Sequence, residues 1–399
     1  MQTIKKIYSK TLLVPFWILL AITYSQLSYA DSKEYLTKWY EYKLQTTKPG
    51  TIDNSTIDEI VDDLANNKKP IYSLIVDSNS LPTNMDVLEK ILGALKTNTT
   101  IRDLSFFNFS GENIEKITRV LNSKVFPSNK DIYYGRDCDW LVSVDFTNRN
   151  DNTNVIIEES AAVEIGLLIK KGLISLNLSG NEISTDNLVT IVQELPSSKL
   201  THLYLNKIKI TKGGIHAFAN TLRKENNKLT FLALDQNNID PDSAIQLVDA
   251  VSKNSFLQSI SLAENNIGNS KEAMKTIRKF YQCKNGIYNI NLAKNNLMPI
   301  DISELMSNYN DGWSCNGSPK LTLNLAENKI DSTGAMTIAN SKCWLELNAI
   351  INLGGNNIGF DSTMTLIKTA YTKEQIEGLN FRMADIENPI AVTNEHIEL

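Results

Sequence analysis

Leu173–Ile183 reads LISLNLSGNEI, and three more stretches keep its spacing: LTFLALDQNNI (Leu229–Ile239), LQSISLAENNI (Leu257–Ile267) and IYNINLAKNNL (Ile287–Leu297). KLTLNLAENKI (Lys320–Ile330) and NAIINLGGNNI (Asn348–Ile358) follow on the same skeleton, L-x-x-L-x-L-x-x-N-x-L. Its asparagine falls at Asn181, Asn237, Asn265, Asn295, Asn328 and Asn356, and a degenerate copy, Leu200–Ile210, carries Ile208 in that slot. Counted from the slot, successive steps are 27, 29, 28, 30, 33 and 28 residues. Self-similarity at one such period marks a stacked array in which each copy buries its apolar edge against the next.

Working outward, IYSLIVDSNSL (Ile71–Leu81) is a good copy with Asn79 in the slot. Ile101–Gly111 and Leu141–Asp151 keep only the apolar skeleton, and the long step between them places an insertion around 125–139. A final copy, Ile376–Ile386, has Ala384 in the slot. About 11 strands are therefore expected between residues 71 and 386. Alternation along a strand sends the two apolar residues of L-x-L into the core and their neighbours outward. Helices are expected between copies, with Asp240 (ahead of Pro241), Asp301 and Asp361 as N-caps, because a carboxylate there accepts the orphan amides of a first turn.

The pattern resembles the leucine-rich repeat, in the long class of the ribonuclease inhibitors, where a full helix follows each strand. The resemblance implies an α/β solenoid, a horseshoe with parallel strands on the concave side and helices on the convex side. Stacked slot asparagines (Asn79, Asn181, Asn237, Asn265, Asn295, Asn328 and Asn356) are expected to form a structural ladder, since a carboxamide supplies both donors and an acceptor to turn backbone left inside the array.

The N-terminus carries Lys5, Lys6 and Lys10, then the uncharged run Thr11–Thr23, then Ser28-Tyr29-Ala30. That is the pattern of a cleaved signal peptide over 1–30, its apolar run being shorter than a bilayer span. Residues 31–70 read as a helical N-terminal cap, 71–386 as the repeats and 387–399 as a tail. A secreted or periplasmic location follows. Loss of three lysines and no acid takes the formal charge from -5 to -8. An acidic chain without a basic stripe argues against nucleic acid as partner. Cys315 and Cys343 both stand 13 residues before their slot asparagine. Equivalent positions on adjacent copies lie at about the strand spacing, within disulfide reach, so this pair is expected to be bridged, with Cys283, 12 residues before Asn295, as the competitor for Cys315.

None of the three histidines, His202, His216 and His396, sits in a triad-like motif, and metal, phosphate and nucleophile-elbow motifs do not occur. The chain is therefore read as non-enzymatic, with no cofactor and no metal. The ribonuclease inhibitors bind proteins along the concave face, which implies that outward residues here meet a protein partner: Asp145, His202, Tyr204, Lys207, Phe231, Asp235, Glu264, Asn291, Lys294, Asn324, Glu327, Asn352 and Arg382. Tyr204 and Phe231, beside Asp235, are the expected anchors, because partly buried rings dominate interface energetics. The reading is an exported binding scaffold, such as a bacterial effector or envelope protein. The alternative is a carbohydrate-binding surface protein that uses the same rings and the amide-rich strands. The chain lacks the many cysteines of the inhibitors, so ribonuclease inhibition is not implied.

Overall fold

The computed structural model describes residues 40–44, 54–67, 71–81, 86–123, 141–224, 227–252, 254, 256–281, 287–307, 321–341 and 350–370. Two compact units divide the chain, Met1–Tyr40 and Glu41–Leu399, and the architecture below is that of the second. The expected signal segment, all four cysteines with the Cys315–Cys343 pair, the copy at 376–386 with Arg382, and the tail lie outside the described residues.

The strands are β1 (Tyr40–Leu44), β2 (Ile71–Asp77), β3 (Asp103–Phe107), β4 (Ser143–Asp145), β5 (Ile156–Ile157), β6 (Ser175–Asn177), β7 (Glu182–Ile183), β8 (His202–Tyr204), β9 (Phe231–Ala233), β10 (Ser259–Ser261), β11 (Asn289–Asn291), β12 (Thr322–Asn324) and β13 (Ile350–Asn352). The helices are α1 (Asn54–Asn66), α2 (Asp86–Thr97), α3 (Gly111–Ser123), α4 (Glu159–Lys170), α5 (Thr185–Val192), α6 (Lys212–Leu222), α7 (Pro241–Val251), α8 (Lys271–Ile277), α9 (Pro299–Leu305), α10 (Ser332–Ala339) and α11 (Phe360–Ala370). Every strand except β5 and β7 joins one open 11-stranded sheet in chain order, and β5 pairs with β7 beside it. From β2 onward the pairs of the main sheet are parallel. The stretch 31–70, expected to be helical, contributes strand β1 as well as α1.

Each eleven-residue copy is numbered here from 1 to 11. Positions 3 to 5 form the strand and position 4 points inward: Leu176, Leu203, Leu232, Ile260, Ile290, Leu323 and Ile351 are all buried, as are the position 6 leucines from Leu178 to Leu353. Each such side chain contributes about 1.5–3 kcal/mol by leaving water. The helices close the other side of this core, α7 through Ala244, Leu247, Val248 and Val251. Two of the three expected caps shift. Asp240 caps α7 by accepting from Ser243 N at 2.9 Å. Asp301, by contrast, lies inside α9, which starts at Pro299, and α11 already starts at Phe360. Buried Asp301 reaches back to Met298 N (2.8 Å) and across to Asn269 N (2.8 Å) and Ser270 N (3.0 Å), so it ties two copies together. No helix among the described residues is long and apolar enough to cross a membrane.

Candidate functional site

The outward face of the sheet is built from positions 3 and 5, and register fixes its rows. His202 lies beside Phe231 and Tyr204 beside Ala233. The Tyr204 and Phe231 rings pack at 4.9 Å between centroids, and His202 stacks on Phe231 at 5.8 Å with an interplanar angle of 18°. All three rings are half-buried. Burial lowers the His202 pKa, leaving a neutral ring at physiological pH. Burial, with the nearby Asp145 carboxylate, raises the Tyr204 phenol to about 12. Three sequence-predicted residues are thus brought together as one aromatic cluster.

Position 5 does a different job. Asn177, Asn291, Asn324 and Asn352 each accept, through Oδ1, the backbone N–H two residues on, from Ser179, Ala293, Ala326 and Gly354 at 3.0–3.2 Å. Asp145 does the same for Thr147 at 2.9 Å, and burial raises its pKa. These side chains hold the turn as the strand ends. Tyr204 and Ala233 cannot make this bond and Ser261 donates its hydroxyl to Asp235 instead, and there the amide is taken by position 7 of the preceding copy: Asn206 N donates to Ser179 Oγ (3.1 Å), Asp235 N to Asn206 Oδ1 (2.7 Å) and Ala263 N to Asp235 Oδ1 (2.7 Å). Position 5 is therefore released from turn duty where the aromatic cluster stands. Asp235 is a turn staple rather than an outward strand residue; it also accepts from Ser261 Oγ at 2.6 Å, and burial pushes its pKa up to about 6.

Lys207, Glu264, Lys294 and Glu327, expected on the strands, occupy position 8 in the turn beyond them. That position is left-handed from Gly180 to Gly355, with φ of 54, 58, 54, 55 and 52° at Lys207, Gln236, Glu264, Lys294 and Glu327. Their long side chains pair along the rim: Gln236 Nε2 donates to Glu264 (2.9 Å), and Lys294 bridges Glu264 (3.4 Å) and Glu327 (3.5 Å). Lys207 pairs with Asp151.

In the position 9 slot, Asn265 Oδ1 accepts from Asn237 N and Ile239 N, while its Nδ2 donates to Leu234 O, Leu262 O and Ala263 O, all at 2.9–3.1 Å. Asn237, Asn328 and Asn356 likewise accept from the preceding copy and donate to its carbonyls; Asn295 accepts from Ile267 N at 3.3 Å. Two positions depart. Asn79 is exposed on the turn Ser78–Ser80, and buried Asp77 accepts its N–H at 3.0 Å. Strand β2, like β3, runs to position 7, two residues further than β4, yet the slot residue after β3, Phe109, is buried while Asn79 is not. Asn181 donates to Phe146 O and Leu178 O, but its buried Oδ1 has no hydrogen-bond partner. In the preceding copy the slot residue is Arg149, whose N–H goes instead to Asn108 Oδ1 at 2.7 Å. Sequence reasoning missed Arg149: its guanidinium lies 3.3 Å over the Phe107 ring. The broken slot in Leu141–Asp151 was the available signal, since a long cation there must leave the array.

A sequence model described as "Leucine Rich repeat" matches residues 317–339. No curated protein matches the chain. Similar solved structures include the leucine-rich repeat-containing protein LegL7 from Legionella pneumophila (12% identity, 80% of this chain and 89% of that one, TM-score 0.44). A chain of the mouse RP105/MD-1 complex is 15% identical over 82% of this chain and 45% of its own, with TM-score 0.40. A chain of the yeast Rad7 and Elc1 complex is 14% identical over 93% and 95%, with TM-score 0.39. The repeated strand-turn-helix unit, with the match over 317–339, gives the fold class: an α/β leucine-rich repeat solenoid with an open sheet.

Proposed function

We propose that the chain is an exported scaffold that binds a protein partner on the outward face of its sheet, anchored on Tyr204, Phe231 and His202. The observation that carries this reading is the aromatic cluster: half-buried His202 and Tyr204 both packed on the half-buried Phe231 ring, on the strands where position 5 is freed from holding the turn. Rings supply large contact area at low entropic cost, which is why interface energy concentrates in them. The rim charges are paired with one another and add register more than affinity. Export rests on the 1–30 segment, and an effector or envelope role is the setting it fits. Affinity capture followed by titration tests the binding reading: Tyr204→Ala and Phe231→Ala should each weaken the captured partner at least about tenfold with the fold intact. Unchanged affinity in both variants, or saturable binding of glycans with no protein partner, sinks it. N-terminal sequencing of exported protein should begin at Asp31; retention of Met1–Ala30 refutes cleavage.

A further inference from the structure

Positions 3, 5 and 7 of the ten copies from Ile71 to Ile358 line the outward face and its turns; they carry four charged residues, Asp77, Asp103, Asp145 and Asp235, and no Lys or Arg. Three of the four have a countercharge at hand. Arg102 acts on Asp103, and Arg149, reaching in from the slot, acts on Asp145 and Asp77. Asp235 has none among the described residues: the charge that acts on it is Glu264, another carboxylate. Its bonds from Ser261 Oγ and Ala263 N both land on Oδ1. Oδ2 accepts no hydrogen bond from a described residue, and it is not sealed from water. The rim lysines on either side are engaged, Lys207 with Asp151 and Lys294 with Glu264 and Glu327. In the position 5 row, Ala233 stands between Tyr204 and Ser261, so nothing longer than a methyl group rises there. Asp235 follows Ala233 by two residues, about 7 Å along the chain, within the reach of a long side chain laid on the Tyr204 and Phe231 rings.

We infer that the Tyr204 and Phe231 rings and Asp235 form a seat for an arginine side chain of the protein partner, and that the partner meets this face with a basic segment. The fold builds such an arrangement once from its own residues: the Arg149 guanidinium lies 3.3 Å over the Phe107 ring, with the Asp77 and Asp145 carboxylates acting on it. Rings and carboxylates recur around Tyr204 and Phe231, with Asp145 acting on the Tyr204 phenol and Asp235 on the copy that carries Phe231. Among the described residues, however, no Lys or Arg stacks on either ring. A guanidinium stacks by its face and still donates in its plane to a carboxylate, which suits rings beside the free Oδ2 better than an ammonium does. A neutral sugar can lie on the same rings but brings no charge to offset Asp235, so charge complementarity separates the two. The inference rests on the strand-face reading above and narrows the partner to a basic one.

The test uses the full chain with ring-labelled Tyr and Phe, followed by NMR. It is titrated with the peptide acetyl-Gly-Arg-Gly-amide and with the same peptide carrying citrulline, which keeps the planar head and loses the charge; maltose is titrated in parallel. The Tyr204 and Phe231 ring signals should shift and saturate with the arginine peptide, at least about tenfold more tightly than with citrulline or maltose. Asp235→Asn should weaken the arginine peptide at least about threefold while its melting temperature at pH 7 does not fall, so the loss is not one of folding. Glu327→Gln, a rim acid away from the rings, should leave the affinity unchanged. Burial holds the Asp235 pKa at about 6, so affinity should fall from pH 7 to pH 5, and fall less in Asp235→Asn. Asp145, Glu264, His202, Tyr204 and Arg149 are the other titratable groups around the rings and are the same in both chains, so the difference isolates Asp235. Equal affinity for the two peptides, tighter saturation by maltose, or an equal loss in Glu327→Gln overturns the inference. An arginine peptide that loses binding with Tyr204→Ala but keeps it with Asp235→Asn overturns the seat and leaves the aromatic anchor standing. A captured partner that keeps full affinity for both Tyr204→Ala and Phe231→Ala removes the anchor and the seat together.

Discussion

A single carboxamide at position 9 does the work of five hydrogen bonds in the case of Asn265. Replacing it with alanine strands two amides and exposes carbonyls to an interior that water does not reach, so Asn265→Ala should cost at least about 3 kcal/mol in a denaturant melt. A loss below about 1 kcal/mol would mean that water substitutes freely there. Asp235 works against itself: its carboxylate staples two copies, yet burial raises its pKa from 3.8 to about 6. Between about pH 4 and 6 the folded chain holds a proton that the unfolded chain has released, so this group's contribution falls as pH rises and is least favourable at neutrality. Asp235→Asn retains an oxygen for Ala263 N and removes the charge. It should be more stable than wild type at pH 7 by on the order of 1–3 kcal/mol, with the gap closing toward pH 4. His202, whose pKa burial lowers, pulls total stability the other way on acidification, so the readout is the difference between the two chains across pH. A gap that does not vary with pH defeats the assignment.

At the scale of the element, the turn after each strand decides more than the strand itself. Position 8 is left-handed in every copy from Gly180 to Gly355, a conformation that costs an ordinary residue about 1–2 kcal/mol. Five copies accept that cost with Lys, Gln or Glu, and four of these side chains then link neighbouring copies along the rim. Gly180 has no such option, because a Cβ there would stand 2.0 Å from Asn148 O. Gly180→Ala should therefore lower the melting temperature more than Gly355→Ala, whose Cβ meets the flexible Glu327 side chain at 2.7 Å. Equal losses would show that the backbone near Asn148 gives way. The start of α7 was legible because Asp240 stands directly before Pro241 and both residues act locally. Asp301 was misplaced because its partners, Asn269 and Ser270, belong to the preceding copy.

The whole molecule behaves as a stack in which each copy leans on its neighbours, so damage should spread by adjacency. Leu232→Ala, which empties a fully buried site in β9, should cost about 2–5 kcal/mol. Hydrogen exchange should speed up most in β8 and β10 and least in β2 and β3; uniform loss across the sheet would show a single cooperative core instead. Period and slot determined the class of fold from sequence alone, because the spacing of apolar residues and the need to satisfy turn backbone are local and repeat in every copy. They also located His202, Tyr204 and Phe231 on one outward face. Only the tertiary structure decided which polar residues on that face are available: whether an Asn, Asp or Lys is spent on a turn, a neighbouring copy or nothing depends on register and on the residue one copy away. That is why Asp235 became a staple, Asn79 left the array, and the asparagines of β11 to β13 hold the turns of their own copies.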